Sequence, residues 1–163
     1  KDDMQLDVVE RRMRPGAWNT KPMLLPDDSL ASILATDAQR LSALRLSHQM
    51  LGAKLAELLA AGSKTDWFRP LRRDVFEVEV RRRRGFLTCP WAASEFAKCT
   101  VGAGGRATAN EFLLRNRARR QSIQGFEISV HLIRDHGFFG GPRTVFRVEP
   151  QDLAQVLGET ADA

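Results

Sequence analysis

The chain has 163 residues, 43% of them hydrophobic and 28% charged, with a formal net charge of +5. That length and apolar content suffice to bury a core without disulfides, and no run of about 18 apolar residues is present to cross a membrane as a helix. The first residues lack the charged-then-apolar pattern of a secretory signal, and two cysteines make no disulfide framework, so a reducing, cytoplasmic setting is expected.

Residues 1–26 read as an extended arm, because Arg14-Pro15-Gly16, Pro22 and Pro26 interrupt helix. Trp18, Met23, Leu24 and Leu25 are too apolar for a free tail, so part of the arm is expected to lie down on the domain or, as the less favoured alternative, on a partner. One α+β domain is then expected over 27–158, a helical hairpin at 27–62 followed by a sheet-containing part at 67–158, with 159–163 as a fraying tail. Asp27, Asp28 and Ser29 offer N-cap chemistry to a first helix marked by Leu30, Ile33, Leu34, Ala38, Leu41 and Leu44. Ser47 caps a second, with Met50, Leu51, Leu55, Leu58 and Leu59 on its apolar face and Gly62 as its stop. Joined only by Arg45 and Leu46, the pair resembles the first two elements of a helix-turn-helix, although Lys54 is the only basic residue on the second helix. His48 reads as a cap or surface residue.

After a polar linker at 62–66 the period changes to two: Phe76, Val78 and Val80 alternate with Glu77, Glu79 and Arg81, as on a half-buried strand. A turn at Arg81–Gly85 and a returning strand Gly85–Cys89, ended by Pro90, complete a first hairpin. Gly102, Gly104 and Gly105 mark a loop that no Gly-Lys-Ser/Thr follows, which excludes a phosphate loop. Glu111–Asn116 and Ser122–Phe126 form a second hairpin around Arg117–Gln121. Phe126–His136 fits both periods, with a short helix from Ser129 preferred because Gly137 can cap it. A last strand at Thr144–Val148 then feeds a helix with Pro150 in its first turn. The expected fold is a helical hairpin on a small, mainly antiparallel sheet of two hairpins, with a short His-bearing helix and a C-terminal helix.

Two patterns carry chemistry. Cys89 and Cys99, separated by nine residues, and His131 and His136, separated by four, are the chain's only cysteines and two of its three histidines. Thiolate and imidazole together suit a tetrahedral zinc site, and a closed four-ligand shell is structural rather than catalytic. The His-x4-His pair at a helix end resembles the second half of a C2H2 zinc finger, whereas Cys-x9-Cys departs from that family's short knuckle. Asp135 or a backbone carbonyl is the natural group to orient an imidazole from behind. The same atoms permit a thiol enzyme, with Cys99 or Cys89 as nucleophile, His131 or His136 as base and Asp135 as orienter. Against it, Asp135 and His136 are sequence neighbours and point apart on a helix.

The second pattern is arginine. Residues 64–147 carry 17 basic and 8 acidic side chains, against balance before them and 4 acids with no base after them. Arg72 and Arg73, then Arg81, Arg82, Arg83 and Arg84, then Arg115, Arg117, Arg119 and Arg120 are candidate contacts for nucleic acid or an acidic protein surface. If the two hairpins share a sheet, their arginine-rich turns are candidates for one positive edge. Glu77 and Glu79 read as salt-bridge partners of these arginines rather than as a general acid and base. Trp67, Phe68, Trp91, Phe96, Phe138 and Phe139 offer rings for base stacking, with a core role the more common use of such residues. A non-catalytic basic binding module, zinc-stabilised, ranks first, ahead of an interaction subunit without nucleic-acid contact and of a small Cys/His enzyme.

Overall fold

The computed structural model describes residues 5–62, 71–105 and 108–160, and gives an α+β architecture of helices packed on an antiparallel sheet. Trp67, Phe68, most of the 62–66 linker and the side chain of Arg73 lie outside the described residues.

The described part of residues 1–26 is not wholly extended. Leu6–Arg12 forms α1, with Asp7 in its first turn and Arg11 and Arg12 in its last, as the helix dipole favours. Val9 and Met13, four residues apart, fall on one face and are buried with Met23 and Leu24, so the segment does lie down on the body of the protein. Leu30–Ala43 forms α2, whose Ser29 hydroxyl accepts from the Ser32 amide at 3.2 Å. His48–Gly62 forms α3, and the Ser47 hydroxyl accepts from the Met50 amide at 3.1 Å.

Three six-residue strands make the body of the sheet: β2 (Phe76–Arg81), β3 (Glu111–Asn116) and β4 (Gln121–Phe126). The three-residue β1 (Leu71–Arg73) extends it at the β2 edge. The β3–β4 hairpin matches expectation, but the first hairpin does not. Residues 85–89 form no strand; β2 turns from β1 on one side and pairs with β3 on the other, Phe76 opposite Asn116 and Arg81 opposite Glu111. The reason lies in where the apolar residues of that stretch are needed. Leu87 and Cys89 are buried in a second hydrophobic cluster away from the sheet, and the backbone of Thr88 is held by Asn19, whose side chain both accepts from its amide at 2.9 Å and donates to its carbonyl at 3.0 Å.

Ile128–His136 forms α4, ended by Gly137 in the left-handed region at φ 67°. Val130 and Ile133 enter the cluster shared by α3, the inner sheet face and α5, while Ile128 and Leu132 enter the cluster of α1, Leu87 and the two cysteines. This helix is therefore the partition between both cores. A Cβ on Gly52 of α3 would stand 2.4 Å from Arg134 Cβ, so the α3–α4 approach requires glycine there. Half-buried His48 ties α3 to α4, its Nδ1 donating to the Ile133 carbonyl at 2.8 Å.

Residues 144–148 are turns rather than a strand. Phe146 and Val148 are buried while Val145 is exposed, and only the Val148 amide reaches another segment through the Phe139 carbonyl. Arg147 instead closes a bidentate pair with buried Asp37 of α2, at 2.8 and 2.9 Å. Pro150–Val156 forms α5 with proline at its start. Just beyond it, Lys54 bonds both the Leu157 carbonyl and the Glu159 carboxylate, which consumes the single basic group of α3; residues 161–163 of the expected tail lie outside the described residues.

Candidate metal centre

Between β2 and β3 run 29 residues with no helix or strand among those described. A loop of that length inside a compact fold needs its own restraint. Arg12 supplies one from α1, donating to the Pro90 and Ala92 carbonyls at 2.9 and 3.0 Å. Asn19 supplies another at Thr88, and the loop also approaches the body of the protein at the two cysteines. The loop passes over α4 so closely that a Cβ on Gly105 would stand 2.5 Å from His131 Cβ, and one on Gly102 only 2.3 Å from Asp135 Oδ1.

This approach brings Cys89, Cys99, His131 and His136 together, one donor atom from each lying within 4.8 Å of every other. His131 is 2% exposed and each cysteine 5%. His136 Nε2 stands 3.2 Å from His131 Nε2, 3.5 Å from Cys89 Sγ and 3.6 Å from Cys99 Sγ. A tetrahedron with metal–nitrogen bonds of about 2.05 Å and metal–sulfur bonds of about 2.3 Å has N···N edges of about 3.3 Å and N···S edges of about 3.6 Å. The three separations thus match the edges of a Cys2His2 coordination shell. A single imidazole N–H cannot satisfy three neighbours at once, whereas one cation at the centre satisfies all four donors.

The surroundings prepare the donors for that role. His131 Nδ1 donates to Asp135 Oδ2 at 2.7 Å, one helical turn on, which leaves Nε2 as the lone-pair nitrogen facing the centre. Burial alone would raise the Asp135 carboxyl, but its bonds from Arg134, His131 and the Ala103 amide outweigh that and hold it below the usual carboxylate range. Burial lowers the His136 pKa, keeping the ring in the neutral form that ligates metal. Trp91 stacks on His136 at 4.1 Å and 8°, fixing the plane of that ring. The Cys99 thiol is pulled well below its ordinary value by a hydrogen bond from Cys89, which outweighs burial and is helped by the Val101 backbone and both imidazoles. Cys89 keeps its proton for the same reason in reverse. Beside the centre, a cavity of about 680 Å3 opens between α3, α4 and the glycine-rich part of the loop, with Cys99, His131, Lys98, Glu127 and Arg134 on its walls.

All four expected ligand residues are therefore brought to one point. Asp135 serves His131 rather than its neighbour His136, since residues four apart share a helix face. Trp91 acts as a ring support, and its proximity to the first cysteine was the only signal of it in the sequence. Phe138 and Phe139 are core.

The arginines are not brought together in one edge. The β2–β3 register puts Arg81 beside Glu111 at one end of the sheet and the Arg117–Arg120 turn at the other, five pairs or about 17 Å away. Many are also neutralised: Glu77 binds Arg72 at 3.3 Å and Arg115 at 3.0 Å, Glu79 binds Arg81 at 2.9 Å, and Glu111 binds Arg83 at 3.0 Å. Glu77 is held low in pKa, the two arginines outweighing the upward effect of burial. Arg117 donates to the Asp74 carbonyl and Arg119 to that of Gln155. Among the described residues, Arg82, Arg84 and Arg120 share no ion pair.

The fold and cluster define an α+β protein with a buried Cys2His2 donor set joining a long loop to a core helix. No protein-family model, curated protein or solved structure matches the chain, so its geometry carries the functional argument.

Proposed function

We propose that the protein is a non-catalytic binding module, stapled by a structural zinc ion on Cys89, Cys99, His131 and His136, whose basic surface engages nucleic acid. One observation carries the metal: three donor separations of 3.2, 3.5 and 3.6 Å that match the edges of a Cys2His2 tetrahedron. Two thiolates and two neutral imidazoles suit zinc over the hard, oxygen-seeking cations. Four protein ligands close the shell, so the ion's contribution is to folding, by tying a loop without ladder bonds to α4. The surplus of arginine between residues 64 and 147 supports an anionic partner. Elemental mass spectrometry on purified protein tests the metal. One zinc per chain, lost in Cys99→Ser and His136→Ala, is expected; protein with no stoichiometric metal and a melting temperature indifferent to chelators would refute the staple.

A second reading is favoured by the cavity. Cys99 and His131 both line it, and Asp135 orients His131, so the three groups satisfy the order of a nucleophile, base and orienter. It predicts a metal-free protein in which a thiol-directed substrate analogue labels Cys99 and His131→Ala abolishes the labelling. Zinc on both residues excludes that chemistry, so the elemental measurement decides between the two.

A further inference from the structure

Phe86 and Phe96 are the exposed aromatic side chains among the described residues, 58% and 78% open to solvent, and they meet edge to face with ring centroids 6.3 Å apart. Large apolar rings left in water mark a surface built for something else to cover. Their setting says what. Phe86 follows the run Arg81-Arg82-Arg83-Arg84-Gly85 directly, and Lys98 stands exposed two residues after Phe96. The carboxylates of this region are Glu79, paired with Arg81; Glu111, paired with Arg83; and Glu95, half-buried beside Phe96. Five cations therefore stand with three acids, and Arg82 and Arg84 share no ion pair with a described residue.

We propose that this patch is a binding surface for an unpaired nucleic-acid strand, with bases stacking on Phe86 and Phe96 and phosphates meeting Arg82 and Arg84. The inference deepens the nucleic-acid part of the reading above and rests on it. An unpaired strand presents ring faces and a negative backbone together, the two chemistries the patch offers. A closed duplex presents only its backbone, since its base faces are already stacked within the helix, and an acidic peptide uses the cations but leaves the two rings wet. The mounting of the rings also suits stacking, because the loop that carries Phe96 runs between buried Cys89 and Cys99, both ligands of the proposed ion, and Phe86 lies three residues before Cys89. Rings on such a mount are ordered before binding, which reduces the entropy lost on stacking.

The test is fluorescence anisotropy of a 20-nucleotide oligo-dT, a duplex of equal length and, as a third probe, sedimentation with anionic phospholipid vesicles. The proteins are the metal-loaded wild type, F86A/F96A and R82Q/R84Q. Both ring positions are exposed, so the variants are expected to keep wild-type metal content and melting temperature. The wild type should prefer oligo-dT. F86A/F96A should lose about tenfold or more of that affinity with the duplex little changed, and R82Q/R84Q should lower the slope of log affinity against log salt by about 1.4. Wild-type binding to oligo-dT that survives F86A/F96A, or that falls equally on the duplex, overturns this surface while leaving the nucleic-acid reading standing. No binding to either nucleic acid overturns both, and binding to vesicles alone assigns the patch to a lipid surface instead.

Discussion

At the residue scale, the pairing of Asp135 with His131 decides how the centre is poised. The carboxylate fixes the tautomer by accepting the Nδ1 hydrogen bond at 2.7 Å, and it is itself held by Arg134 and the Ala103 amide. Asp135→Asn should therefore leave the fold intact but weaken metal affinity by about 10–100-fold, read by competition with a chromophoric chelator. Cys99→Ser, which removes a donor outright, should lose the metal altogether. The two cysteines should also separate once the metal is stripped. Cys99 borders the cavity and takes the shared negative charge, whereas Cys89 keeps the proton. Mass-mapped alkylation of chelated protein near neutral pH should label Cys99 first, and metal-loaded protein should resist at both. Equal rates in the stripped protein would contradict the asymmetry. That Cys89, Cys99, His131 and His136 cluster was legible in the sequence because few residue types offer a thiol or imidazole donor and this chain holds few of them. Asp135 was legible as an orienting group, but which imidazole it serves was not; the spacing of four on a helix, which selects His131, was the signal not used.

At the element scale, the long loop and α4 are two halves of one device. Helices α2 to α5 were readable because their apolar residues recur every three or four positions and each is marked at one end by Ser29, Ser47, Gly137 or Pro150, whereas the short α1, which has no side-chain cap, was not. The 85–89 segment was not. Short apolar runs do not distinguish a strand from a loop that must bury Leu87 and Cys89, and the true neighbour of β2 lies 29 residues downstream, beyond any local signal. The packing of α3 on α4 makes a sharp prediction. Gly52→Ala puts a methyl within 2.4 Å of Arg134 Cβ and 2.5 Å of its Cα, which only a shift of the helix relieves. The expected cost is about 1–3 kcal/mol in urea unfolding. Because His131 and His136 ride on α4, metal affinity should fall with it. A loss of stability with metal affinity unchanged would show that the centre tolerates movement of the helix.

At the scale of the whole molecule, one observed tie and one proposed tie join segments distant in sequence. One is the ion pair of Asp37 with Arg147, which bridges α2 to the stretch before α5 and whose guanidinium also meets Glu149. Arg147→Met leaves the Asp37 carboxylate buried without its partner, at a cost of about 3–5 kcal/mol. Glu149 is held below the usual carboxylate range by Arg147 against burial, so its contribution is present above a pH of about 4.5 and disappears as pH falls through its lowered value. It is half-exposed and screened, so Glu149→Gln should remove only about 0.2–1 kcal/mol of acid-dependent stability. Comparing urea midpoints of the variant and wild type from neutral pH downward checks the sign: the gap should close in acid.

The other tie is the ion proposed for the Cys2His2 cluster, and its removal should reach further than stability. Without the ion, the stretch around Cys89 and Cys99 keeps the Arg12 and Asn19 bonds on its first half, while the second half retains only local turns and contacts through Asp135 and Arg134. The helices and the β3–β4 hairpin have their own hydrogen-bonded ladders and a core that runs through Leu55, Phe112 and Leu153. Chelation should then lower the melting temperature and open amide exchange selectively over residues 88–105, sparing β3 and β4, in a hydrogen-exchange experiment read by mass spectrometry. Protection lost uniformly across the chain would make the ion a condition for folding as a whole rather than a staple for one loop. Since that loop carries Phe96, the same chelation should weaken oligo-dT binding while the exposed arginines, which need no ordered loop, retain a salt-sensitive residue of duplex affinity.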